Sequence, residues 1–193
     1  MKQLEFTPEG VIRAYCMGVF PMGSKRGGIS WYSPDPRCII DMQNFHASSR
    51  LLRKVRQGVF EMKVNHDWDQ VIRKCGSRKD VWITEEIIDM YTQLHQMGLA
   101  HSVEAYYEGK LAGGLYGLSL GGAFMGESMF HEVTDASKVS LVYLVNRLLE
   151  RGFTLLDTQY RTEHLSKFSA VEIPREEYLR RLMPALSQHC SFV

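Results

Sequence analysis

HSVEAYYEGKLAGGLYGLSLGGAFMGESMF, residues 101–130, is where the apolar period of the chain switches to alternation. Over 101–107, Val103, Ala105 and Tyr107 share one face of an extended segment, and Glu108-Gly109 supplies a turn. Residues 110–119 and 123–130 read as two further strands, joined across Leu120-Gly121-Gly122. The centre of the chain is thus an antiparallel meander, which must find helices to cover its apolar faces.

Helical signals lie on both sides of it. Upstream, 84–97 begins at Thr84, a capping residue type, followed by Glu85 and Glu86, which favour the positive end of a helix dipole. Ile87, Ile88, Tyr91 and Leu94 form its apolar stripe, and Gly98 ends it. Downstream, 137–151 carries Val139, Leu141, Val142, Leu144, Val145, Leu148 and Leu149 around most of its circumference, so it is expected to be deeply buried. A short apolar strand over 153–157 and a helix over 176–183 follow. Nearer the N-terminus the spacing predicts helices over 8–18, 48–57 and 67–74, the last with Asp67 as a candidate cap, and a strand over 59–64. Residues 21–36, PMGSKRGGISWYSPDP, read as a long ordered loop. The expected fold is mixed α/β (α+β): a twisted, mainly antiparallel sheet flanked by helices, with a short N-terminal subdomain over 1–45 ahead of a main domain over 46–193.

Composition bounds the function. The 193 residues are 45% hydrophobic and 23% charged, which excludes wholesale disorder. No window approaches ~18 uninterrupted apolar residues, and the N-terminus has no apolar signal region, so neither a membrane span nor secretion is expected. Cys16, Cys38, Cys75 and Cys190 form no CxxC pair and read as reduced thiols of a cytosolic protein, not as a disulfide frame or a metal site. Net charge is +1, but residues 1–85 carry 14 Lys/Arg against 9 Asp/Glu and the remainder 9 against 13. Residues 42–60 hold Arg50, Arg53, Lys54 and Arg56 and no acid. On a helix these four span an arc of about 160°. They form either a solvated face or a phosphate-binding patch.

Three segments can carry chemistry. LLDTQ places Asp157 at the end of a buried strand, where a carboxylate is costly unless hydrogen-bonded. Asp157 either caps the next turn or, facing the same side as Gln159, accepts from its side-chain amide and leaves the Gln159 carbonyl oxygen as a positioned acceptor. Glu127 lies in AFMGESMF, on one strand face with Met125 and Met129. It calls for a cationic partner, either a protein Lys/Arg or a substrate cation. His164, in the polar loop beyond, reads as a structural hydrogen-bonder more readily than as a base. The aromatics of WYSPDPR and Trp82 are of a type that stacks on bases.

Taken together the segments resemble one family. AYCMGVFP (14–21), WYSPDPR (31–37), VWIT (81–84), YTQLHQMGLAHSVE (91–104), GGLYG (113–117), GESMF (126–130), ASK (136–138), LLDTQ (155–159) and EIPR (172–175) occur in the order found in leucyl/phenylalanyl-tRNA–protein transferases. The resemblance implies an acetyltransferase-like (GNAT-like) fold and a monomeric cytoplasmic enzyme. It implies transfer of Leu, Phe or Met from aminoacyl-tRNA to the N-terminal α-amine of a protein beginning with Arg or Lys, which marks that protein for N-degron proteolysis. No metal or small cofactor is implied, because the aminoacyl ester is already activated. By matched position, Asp157 and Gln159 are catalytic, with the Asp polarising the Gln that holds the amine, and Glu127 holds the basic acceptor end. Leu115, Phe124, Met129, Leu141, Leu144, Leu148 and Leu156 wall the aminoacyl pocket, and Trp82 flanks the terminal adenosine. The basic stretch would carry tRNA phosphates.

The family's usual FPW reads Phe20-Pro21-Met22 here, so Met22 stands at an adenosine-binding position without the stacking tryptophan. Two rivals are weighed. An acyl-CoA acetyltransferase would need a Gly-rich pyrophosphate loop at a helix start, which the sequence lacks. A non-catalytic RNA-binding protein would explain the basic stretch but not the Asp157–Gln159 and Glu127 placements.

Overall fold

A computed structural model describes residues 4–24, 26–77 and 82–193. Lys25, within the expected loop, and Val81 of the VWIT segment lie outside them. In chain order the elements are α1 (Pro8–Cys16), β1 (Phe20–Gly23), β2 (Ile29–Tyr32), β3 (Arg37–Ile40), α2 (Ser49–Arg56), β4 (Glu61–Val64), α3 (Trp68–Gly76) and α4 (Glu85–Gln96). They continue with β5 (Ala100–Tyr107), β6 (Lys110–Leu120), β7 (Ala123–His131), α5 (Ala136–Glu150), β8 (Leu155–Gln159), β9 (Ala170–Ile173) and α6 (Arg175–Leu186).

The expected meander is the middle of a seven-stranded sheet ordered β4-β5-β6-β7-β8-β3-β9. Every pairing is antiparallel except β7 with β8, which run parallel because α5 crosses between them. One face packs on α1, α3, α4 and α6 through residues such as Tyr116, Leu118 and Met125. The other packs on α2 and α5 through Val103, Leu115, Phe124 and Leu156. The architecture is therefore mixed α/β with a mainly antiparallel, helix-flanked sheet, as expected. β3 lies within the first 45 residues and is nonetheless a member of the large sheet, between β8 and β9.

Several local expectations are corrected. The loop over 21–36 contains a hairpin, with β1 and β2 paired from Phe20↔Tyr32 to Gly23↔Ile29. Its Gly and Pro content masked the short strands. β3 and β9 were not foreseen, because four-residue strands give too little alternation to read. Thr84 precedes α4 but its hydroxyl makes no cap bond. It packs instead where a Cβ on Gly23 would fall, 2.7 Å away. Asp67 likewise makes no cap bond to α3; its carboxylate takes the Gln70 amide and the Tyr106 hydroxyl. The expected strand 153–157 is displaced two residues, since Phe153 N–H still closes the end of α5 on Leu148 O. That displacement brings Asp157 and Gln159 inside β8.

Met125 and Met129 do not share a face with Glu127 between them. Tyr116 pairs with Ser128 while Gly117 pairs with Gly126, so Glu127 is the extra residue of a β-bulge. Met125 then faces one core and Met129 the other.

The C-terminal tail completes the second core. Phe192 is 2% exposed, stacked on Phe124 (5.1 Å) and His101 (4.6 Å), with the Arg147 guanidinium 5.2 Å from its ring centre. Arg147 Nε donates to Phe192 O at 2.8 Å. Phe192→Ala is expected to lower unfolding free energy by about 3–5 kcal/mol in a urea titration. A loss below about 1 kcal/mol would mean that the ring is not part of the core.

Candidate active site

Asp157 is fully buried, and four donors converge on its carboxylate. Arg37 Nε donates to Oδ1 (2.9 Å) and Arg37 Nη2 to Oδ2 (2.6 Å), a bidentate ion pair. The Tyr178 hydroxyl donates to Oδ2 (2.9 Å) and the Gln159 main-chain N–H to Oδ1 (2.9 Å). Arg37 is itself fully enclosed: Nη1 donates to Gly18 O (3.1 Å), and its guanidinium carbon lies 4.9 Å from the Phe20 ring centre and 4.5 Å from that of Tyr178.

This corrects the expected relay. Asp157 does not accept from the Gln159 side-chain amide; it holds the Gln159 backbone N–H. The bond fixes Gln159 at φ +57°, a left-handed conformation uncommon for a residue with a side chain. The side-chain amide finds acceptors for its nitrogen in one orientation, donating to Gly126 O (2.9 Å) and Thr158 O (3.0 Å). Its oxygen then occupies the position 3.4 Å from Glu127 Oε1, where the opposite orientation would put the nitrogen. The expected end point, a positioned Gln159 carbonyl oxygen, thus arises from backbone capping and two main-chain acceptors.

Glu127 receives the Tyr15 hydroxyl at 2.6 Å, and Tyr15 in turn pairs with the Tyr91 hydroxyl. Among the described residues no Lys or Arg forms an ion pair with it, so the alternative of an internal salt bridge is not the one adopted. Burial pushes Glu127 up to about 8, helped by the Asp157 charge and opposed by the tyrosine hydrogen bonds and Arg37. Burial also raises both tyrosines well above their ordinary range, which keeps them as hydroxyl donors.

Glu127 and Gln159 open onto a cavity of ≈ 470 Å³. Leu115, Met129, Leu141, Leu144 and Leu156 supply its apolar wall. Phe20, Met22 and Trp82 border it elsewhere, and Gly23 N–H bonds Trp82 O at 3.0 Å, tying β1 to the segment before α4. Phe124 and Leu148, expected as walls, are not among the lining residues. Both are fully buried in the core, and Phe124 stacks on Phe192. Asp157 does not line the cavity either. His164 does, together with His131. Among the described residues its Nε2 has no hydrogen-bond partner, and burial lowers its pKa.

The basic stretch forms α2, capped by Ser48 on Leu51 N–H. It is not free of acid in space. Asp135, just before α5, accepts from Lys54 (2.8 Å) and Lys138 (2.6 Å) and lies 3.7 Å from Arg50. Hydrogen bonds from Lys138 and Lys54 hold it down at about 2. Arg53 and Arg56 remain exposed.

Sequence reasoning missed Arg37, Tyr178, Tyr15 and Tyr91. Arg37 stood inside a quoted segment, and the usable signal was the unmet demand of Asp157 for a cation. Nothing local tells which cation meets it.

Residues 39–183 match the family described as leucyl/phenylalanyl-tRNA protein transferase, and residues 5–35 match that family's N-terminal domain. The chain belongs to the leucyl/phenylalanyl-tRNA–protein transferase family. Membership makes it an aminoacyltransferase. A leucyl/phenylalanyl-tRNA–protein transferase of Gloeobacter violaceus is 52% identical over 187 residues, 96% of this chain and 97% of that one. One of Rubrobacter xylanophilus is 51% identical over 184 residues, 95% and 96% of the two chains. Among solved structures, L-PGS from Bacillus licheniformis aligns with a TM-score of 0.43 and 15% identity, over 82% of this chain and 55% of that one.

Removing one partner of a buried ion pair strands the other, at about 3–5 kcal/mol. Arg37→Ala should therefore lose that much stability by urea titration at neutral pH. Arg37→Lys should also lose transfer activity, since one ammonium cannot reproduce the two-point grip. Near wild-type stability and transfer in both variants would show that Asp157 does not depend on Arg37.

Proposed function

We propose that this transferase moves Leu, Phe or Met from aminoacyl-tRNA to the N-terminal α-amine of proteins beginning with Arg or Lys. It acts as a cytoplasmic monomer without a cofactor, and its products are marked for N-degron proteolysis. The observation that carries this reading is the cavity, which joins an apolar wall of leucines and Met129 to the acceptor pair Glu127–Gln159. An apolar side chain esterified to a 3′-terminal ribose fits the first, and a cationic chain end fits the second. No helix is long and apolar enough to cross a membrane among the described residues.

In this reading an unbranched or γ-branched donor side chain lies against Leu115, Leu141, Leu144 and Leu156. Shape rejects Ile and Val at about 1–3 kcal/mol per misplaced methylene. The adenosine lies beside Trp82 and Met22, whose place on the cavity rim supports that assignment. The Gln159 oxygen orients the acceptor amine toward the ester carbonyl, Asp157 keeps Gln159 in its left-handed conformation, and Glu127 holds the cationic acceptor end. Orientation is the larger part of the catalysis, since the ester is already reactive toward a neutral amine. Transfer of labelled leucine from charged tRNA to an Arg-initiated peptide, and its absence with an Ala-initiated control, tests the reading directly. Equal labelling of the two peptides would overturn the acceptor assignment.

The face of α2 carries the tRNA phosphates in this reading, with Arg53 and Arg56 exposed and Arg50 and Lys54 held near Asp135. Affinity for aminoacyl-tRNA should then fall with salt, at a log–log slope of roughly −0.7 to −0.9 per phosphate neutralised. Replacing Arg53 and Lys54 by alanine should weaken aminoacyl-tRNA binding and flatten the slope by up to about two such units. A minimal aminoacyl-adenosine donor should be used normally by that variant. Equal losses with both donors would assign α2 a structural role.

A further inference from the structure

Before an α-ammonium can attack an ester, its nitrogen must lose a proton. Two carboxylates stand beside Gln159, and the geometry treats them differently. Asp157 has no capacity left. It is fully buried, does not line the cavity, and both oxygens are already taken by the guanidinium of Arg37, the Tyr178 hydroxyl and the Gln159 N–H. Glu127 sits on the bulge of β7 and faces the cavity. It has no cationic partner among the described residues and stands 3.4 Å from the end of the Gln159 amide. With the Gln159 nitrogen turned to Gly126 O and Thr158 O, two oxygens stand 3.4 Å apart on the cavity wall. That is a seat for an ammonium, which donates to both.

We propose that Glu127 is the base of the transfer, receiving the acceptor's α-ammonium beside the Gln159 oxygen and taking one proton from it. The proposal rests on the aminoacyl-transfer reading above, narrows the cationic end that Glu127 holds to the acceptor's α-ammonium, and assigns the proton that reading leaves unassigned. The α-ammonium gives one proton to the Glu127 carboxylate and becomes a neutral amine. Its lone pair forms the C–N bond to the ester carbonyl carbon. As the tetrahedral intermediate collapses, the C–O bond to the ribose breaks, and a second proton passes from nitrogen to the departing 3′-oxygen. The third hydrogen stays on the new amide. Glu127 returns its proton to solvent before the next turnover.

The surroundings of Glu127 suit this task. Tyr15 from α1 and Tyr91 from α4 donate toward it, and Asp157 from β8 and Arg37 from β3 oppose one another electrostatically. His131 and His164 line the same cavity. The net result, dominated by burial, is a carboxyl near 8, matched to a free α-amino group at about 8, so the proton moves with little driving force either way. Asp157 then acts as a positioning residue through Gln159.

The test uses charged tRNA and two Arg-initiated peptides. One ends in an ordinary α-amine; the other ends in an aminooxy group, which is neutral at neutral pH and needs no base. Wild type should use both. Glu127→Gln should lose about 10²–10⁴-fold in kcat with the amine peptide and far less with the aminooxy peptide. Its residual amine rate should rise tenfold per pH unit up to the pKa of the amine itself, about 8. Asp157→Asn should lose on both peptides alike, and Glu127→Asp, which keeps the carboxylate, should recover part of the amine rate. Equal losses on both peptides by Glu127→Gln, or an unchanged amine rate, would overturn the assignment. Failure of wild type to label either peptide would instead overturn the aminoacyl-transfer reading, and this proposal with it.

Discussion

The ion pair between Arg37 and Asp157 is the constraint from which the rest of the structure follows. Removing both charges from water is costly, and their attraction offsets that cost only because each remaining donor and acceptor is also satisfied. Satisfying them recruits elements far apart in the chain. Arg37 lies on β3, Asp157 on β8, Tyr178 on α6, Gly18 just beyond α1, and Phe20 on β1. One guanidinium thus fixes β3 against β8, closes α6 over the sheet and brings the β1–β2 hairpin to the cavity rim. An apolar pair of equal volume could hold such a core as firmly. It could not hold the Gln159 N–H, and so could not impose the left-handed turn on which the site depends.

Two irregularities in the sheet convert that scaffold into a site. β7 and β8 are parallel neighbours, with Met125 opposite Asp157, and each strand departs from regular pairing just beyond that point. β7 bulges at Glu127, while β8 gains Thr158 between the residues paired with Cys38 and Ile39. The bulge leaves Glu127 beside Tyr15, in the core that also holds Met125, and turns Met129 to the opposite core. Both Glu127 and Met129 then border the cavity. At the distortion around Thr158, Asp157 stays sealed from the cavity while Gln159 lines it. The carboxylates are therefore separated by function: one is sealed and paired, the other left unpaired beside open space.

Legibility in the sequence followed the length scale of each signal. The meander, α4 and α5 were readable because eight or more residues repeat one period, and the apolar wall at Leu141, Leu144 and Leu156 followed from the family segments. The hairpin, β3 and β9 were not readable, since four residues carry too little pattern. The bulge at Glu127 was invisible because GES fits a regular strand equally well; it shows only in the register with β6. Phe124 and Leu148 were misplaced for a related reason. Their spacing puts them on the right element and face but not at the right depth, and Phe124 is covered by Phe192 from the other end of the chain. The pairs Arg37–Asp157 and Lys54–Asp135 were out of reach because an ion pair between residues about a hundred positions apart leaves no local trace.

Helix α5 joins the surface chemistry to the buried chemistry. Its N-terminal end carries Lys138 and abuts Asp135, where Lys54 and Arg50 of the basic helix converge. Its middle presents Leu141 and Leu144 to the cavity. Its last turn holds Arg147, which grips the carbonyl of Phe192 and lies over that ring. A 15-residue helix spans about 22 Å at 1.5 Å per residue. It is also apolar on nearly every side, so it cannot shift along its axis without breaking contacts with β5, β6 and β7 together. The spacing between the basic face of α2 and the leucines of the cavity is therefore set by a rigid body rather than by a loop. Under the proposed tRNA contact, a donor whose phosphates reach α2 would have its 3′ end delivered at a fixed distance, and the site would contribute only the alignment of the final ester with Gln159.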